Sequence, residues 1–63
     1  MTALKRILDS KNISVHELAR MTGIPAPTIY RYINNQRDPR FSKLSTIAKA
    51  LDVSIEELTK EDE

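Results

Sequence analysis

The sequence predicts an all-α domain of five short helices, and three observations carry that prediction. Apolar residues recur every three or four positions and show no strand-like alternation. Two S-x-x-E motifs, Ser14 with Glu17 and Ser54 with Glu57, have the spacing of a helix-capping box. Each motif is flanked by an apolar pair at the staple positions, Ile13 with Leu18 and Val53 with Leu58. The 63 residues allow one domain at most, with a modest core. No Cys is present, so packing must supply what disulfides or a thiolate metal site supply elsewhere.

The first helix is expected from about Ala3 to Ser10, with Thr2 as its cap. Leu4, Ile7 and Leu8 form its apolar stripe. Asn12 is a suitable left-handed stop, because Asn tolerates that conformation. The second helix starts after Ser14, turns Val15, Leu18 and Ala19 inward, and ends at Gly23, where positive φ is cheap. The third begins near Pro25 or Ala26 and runs to about Asn34. Pro25 and Pro27 do not break it, since the first helical N–H groups have no partner to lose. Ile29, Tyr32 and Ile33 make its inner face. After a turn over residues 35–39, a fourth helix carries Phe41, Leu44, Ile47, Ala48 and Leu51 as its stripe. Ser54 opens the fifth.

The domain is taken as residues 1–60, with Glu61, Asp62 and Glu63 as an acidic, solvated, frayed end. The net charge of +1 conceals an asymmetry. Residues 1–51 hold nine Lys and Arg against three acids, and residues 52–63 hold one Lys against six acids. A basic body suits a polyanion partner. No apolar run reaches the length of a membrane span and no signal peptide opens the chain, which fits a cytoplasmic protein of a bacterium or phage-infected cell. Nothing points to an enzyme or a cofactor. His16 and Glu17 are adjacent on a helix and point about 100° apart, Glu17 is explained by its capping box, and no set of metal ligands converges. No small-molecule ligand is evident either, and Gly23 alone cannot make a phosphate loop.

The pair of short helices around Thr22-Gly23-Ile24 has the form of a helix-turn-helix, whose second helix enters the major groove of DNA. The third helix has the two faces that task requires. Ile29, Tyr32 and Ile33 lie on one side, and Pro27, Tyr30, Arg31 and Asn34 on the other. The stretch SVHELARMTGIPAPTIYRYINNQRDPRFSKLSTIAKALDVSIEEL resembles the Cro/repressor (XRE-type) helix-turn-helix family of phage and bacterial regulators. The features that carry the likeness are Leu18-Ala19, Gly23, Thr28-Ile29, Pro39 and residues 50–54, although the family more often has Gly where Asp52 stands.

The resemblance implies a compact five-helix, lambda-repressor-like DNA-binding domain acting as a transcriptional regulator, with repression as the expected outcome, usually dimeric on a palindromic double-stranded operator. It places base contacts at Ala26, Pro27 and Arg31, with Thr28 and Tyr30 flanking. Arg31 is the strongest candidate, because a guanidinium can bond bidentately to guanine. Ala26 and Pro27 offer only apolar contact, for example to a thymine methyl. Tyr30 has three roles open to it: a base contact, a phosphate bond, or cover for the helix surface. The backbone set is Ser14 and Val15 at the start of the second helix, Asn34 at the end of the third, Arg37, Arg40 and the main chain at Phe41 in the following loop, and Lys43. Some phage repressors pair an Arg in the first helix with a Glu late in the third. Leu8 and Ile33 stand at those positions, so an apolar contact is expected in place of the ion pair. For pairing of two copies, as a weak homodimer or a dimer formed on DNA, the candidate surface is Val53, Ile55 and Leu58; internal core is the alternative, and the more common fate of such residues in so small a protein. The competing reading is a protein-interaction module of the same fold, partner to a toxin or an anti-repressor, with DNA binding secondary or lost.

Overall fold

Helix boundaries fall where caps and left-handed residues put them. The computed structural model describes residues 1–60. Residues 61–63, expected to fray, lie outside the described residues. Five helices follow one another: α1 (Thr2–Lys11), α2 (Val15–Thr22), α3 (Ala26–Ile33), α4 (Phe41–Leu51) and α5 (Ile55–Thr59). Asn12, Gly23 and Asp52 end α1, α2 and α4 in the left-handed conformation. Asp52 at φ 58° explains why Gly suits this position, and a short polar side chain is the tolerable substitute.

Ser14 makes a complete capping box. Its Oγ accepts from the Glu17 amide at 3.0 Å, and its own amide donates to the Glu17 carboxylate at 3.5 Å. At Ser54 only half of the box forms. Its Oγ accepts from the Glu57 amide at 3.2 Å, and the carboxylate makes no return bond. Thr2 is not the cap of α1. The helix takes Thr2 as its first residue, and Met1 holds the cap position without a side-chain bond.

The core joins all five helices. Leu4 and Leu8 of α1, Leu18 of α2, Ile29 and Tyr32 of α3, Ile47, Ala48 and Leu51 of α4, and Leu58 of α5 are buried together with Met1 and Ile24. No polar or charged residue is buried among the described residues. Leu8 is buried and Ile33 packs against the same cluster, as expected for an apolar substitute for an ion pair. α2 lies against α3 and α4, while α1 lies against α3 and α5. Two sequence expectations are corrected by this packing. Phe41 shares the helical phase of the α4 stripe but is 70% exposed, because burial along that stripe begins only at Leu44 and is complete at Ile47 and Ala48. Leu58 has no exposed surface, so it belongs to the core and offers nothing to a partner.

The α-ammonium of Met1 closes the fold over the end of α3. It donates to the carbonyls of Tyr32 at 2.7 Å and Ile33 at 3.0 Å, and to Asn35 Oδ1 at 2.6 Å. A cation at a helix C-terminus meets free carbonyls and the negative end of the helix dipole. Asn35 supports the arrangement with a left-handed backbone, φ 60°. Asn35→Gly retains that backbone and removes only the acceptor, and is expected to lower stability by about 1–2 kcal/mol in urea unfolding. Asn35→Asp, which offers a carboxylate to the same ammonium, is expected to preserve it.

Candidate nucleic-acid interface

α3 is held on one side and open on the other. Ile29 and Tyr32 are buried, and Ile33 packs beside them. Pro27, Tyr30, Arg31 and Asn34 are exposed, Tyr30 to 47%. Ala26 and Thr28 are half-buried at the start of the helix. Of the expected reading residues, Pro27, Tyr30 and Arg31 therefore share the free face of a helix whose opposite face is core, with Ala26 and Thr28 at its two margins. The turn before it is fixed by Gly23 at φ 77° and by Thr22, whose hydroxyl donates to Leu18 O and accepts from the Ile24 amide. No Cβ contact would arise at Gly23, so it is the backbone conformation alone that favours glycine.

The candidate phosphate groups divide between two helix starts. At α2 the capping box engages the amides of Ser14 and Glu17, and it brings the Glu17 carboxylate to the place where a phosphate would approach. The amides of Val15 and His16 remain, beside a negative charge. At α4 the arrangement is reversed. Its cap residue, Arg40, makes no side-chain cap, and only the Leu44 amide is engaged there, by Arg40 O. The amides of Phe41, Ser42 and Lys43 have no acceptor among the described residues. Beside them a concavity of about 320 Å³ is lined by Tyr32, Arg37, Asp38, Arg40, Ser42 and Lys43. Three cationic side chains, one acid and a free helix start make this the better anion seat of the two. Ser42 was not among the residues singled out from sequence. The signal for it was the lack of Ser, Thr, Asp or Asn at position 40, where a capped helix would have one. Asn34 closes α3 with an exposed side chain between the reading face and this seat in sequence.

The surface expected for pairing is smaller than the sequence suggested. With Leu58 in the core, Val53 and Ile55 remain, both half-buried and packed on that core.

A helix-turn-helix family model matches residues 4–58. The chain belongs to the Cro/repressor (XRE-type) helix-turn-helix family. No curated protein and no solved structure matches it. In this XRE-type domain α2 and α3 are the helix-turn-helix pair, and the family is one of DNA-binding regulators. No helix among the described residues is long and apolar enough to cross a membrane.

Proposed function

We propose that this XRE-type domain regulates transcription by binding a palindromic operator, most simply as a repressor that occupies its site. α3 reads the major groove, with Arg31 as the principal base contact and Ala26, Pro27, Thr28 and Tyr30 around it. The observation that carries this reading is the exposed face of α3, unpartnered among the described residues, followed in the chain by a cationic, uncapped start of α4. The phosphate set is then Arg37, Arg40, Lys43 and the amides at Phe41 and Ser42, with Asn34 between. Ser14 and Val15 make a weaker contact, because Glu17 opposes it. Two copies pair on the two half-sites through the exposed parts of Val53 and Ile55, weakly in solution, since so little apolar area is left there.

The test is selection of bound sites from a random duplex pool, followed by affinity measured against salt. A symmetric enriched motif is expected, with affinity falling steeply as salt rises, because each neutralised phosphate releases counterions. An unenriched pool and weak, salt-insensitive binding would overturn the reading in favour of a protein-interaction module.

A further inference from the structure

We propose that the first turn of α3 reads a 5-methylpyrimidine, thymine in ordinary DNA, through the apolar surfaces of Ala26 and Pro27. This rests on the operator-binding reading and gives it a chemical identity at one position of each half-site.

The argument begins with the amides. A helix start ordinarily presents four N–H groups without intrahelical partners, which is why such starts attract phosphates and base acceptors. At α3 two of the four do not exist, because positions 25 and 27 are proline. A third, from Thr28, is bonded to Pro25 O at 3.0 Å, and the next amide, from Ile29, meets the same oxygen at 3.2 Å. Only the Ala26 amide remains. Of the first-turn side chains, Ala26 and Pro27 add no donor or acceptor either, and the one polar group near them is the hydroxyl of half-buried Thr28, at the other margin of the open face. Pro27 is exposed and Ala26 half-exposed, and both are wholly apolar.

In the major groove three of the four bases present only polar edges at such a surface, and those would lose hydration without gaining a partner. Thymine alone presents a methyl group, whose burial against Pro27 and Ala26 is favourable. The polar reading group follows one turn later. Arg31 lies four residues beyond Pro27, about 6 Å along the helix axis at 1.5 Å per residue. The thymine and the guanine read by Arg31 should therefore be one to two base pairs apart.

The probe is the duplex selected above, with each thymine replaced in turn by uracil, which removes the methyl and leaves the hydrogen-bonding edge unchanged. One thymine per half-site is expected to weaken binding about fourfold on losing its methyl, and the others to have little effect. Pro27→Ser supplies a hydroxyl and an amide at the second residue of α3, where a backbone N–H needs no intrahelical partner. Its folding is checked by thermal unfolding, and it is expected to bind thymine and uracil duplexes alike. Uracil tolerated at every position by a protein that still binds its site specifically would overturn the methyl assignment and leave the operator reading intact. Absence of specific, salt-sensitive duplex binding would overturn both.

Discussion

Replacing Leu58 by alanine is expected to lower stability by about 2–5 kcal/mol, the range for removing a buried leucine side chain. Leu58 has no exposed surface and sits in the cluster that joins all five helices. A domain of this length has about 3–9 kcal/mol of stability in all, so the loss is a large part of the whole. The effect is concentrated because α5 is only five residues long. A helix that short does not persist in water without tertiary contacts. Leu58 is its one buried residue, while α5 packs on both α1 and α4. Thermal unfolding is the measurement, with a midpoint expected to fall by roughly 10 °C or more. The same experiment separates core from interface. A core residue lowers the midpoint equally at every protein concentration. A residue holding two copies together would make the wild-type midpoint rise with concentration and the variant's stay flat.

The course of the chain was legible in sequence because its punctuation is local. Ser14 with Glu17, Gly23, Asn12 and the position of Ser54 each act within four or five residues, and the helical stripe needs no knowledge of the partner helix. What sequence could not supply depends on tertiary placement. Phe41 has the correct helical phase for burial, but phase says nothing of where the neighbouring helices end. Leu58 reads identically as core or interface until its neighbours are in place. The ammonium of Met1 meets carbonyls more than thirty positions away, and no local pattern announces that bond. At the interface, residue identities were legible while their electrostatic context was not. Ser14 was read as a helix start able to hold a phosphate, and its capping box, also read, is what brings a carboxylate to that start. The α4 start was represented by Arg37, Arg40, Phe41 and Lys43, and its missing cap is what makes those residues act together.

Arg31→Ala is expected to cost about 1–3 kcal/mol of operator affinity, equivalent to roughly 5- to 150-fold, and to relax selection at one base pair in each half-site. The side chain is exposed, and no acceptor among the described residues holds it, so its five donors are available to a base edge. It also lies in the last turn of α3, where a cation favours the helix dipole. Its removal should therefore destabilise the fold slightly, by a few tenths of a kcal/mol, and unfolding of the variant must be measured alongside binding. The comparison that gives the result its meaning is Arg40→Ala or Lys43→Ala. A phosphate contact carries no sequence information, so those variants should weaken all duplexes alike and reduce the slope of log affinity against log salt by about 1 each. Arg31→Ala should weaken the selected site far more than random duplex. If instead it lowers both equally and takes a unit from the salt slope, Arg31 contacts the backbone. Base discrimination would then fall to Tyr30, Thr28 and the apolar first turn, and the selected motif should lack a fixed guanine.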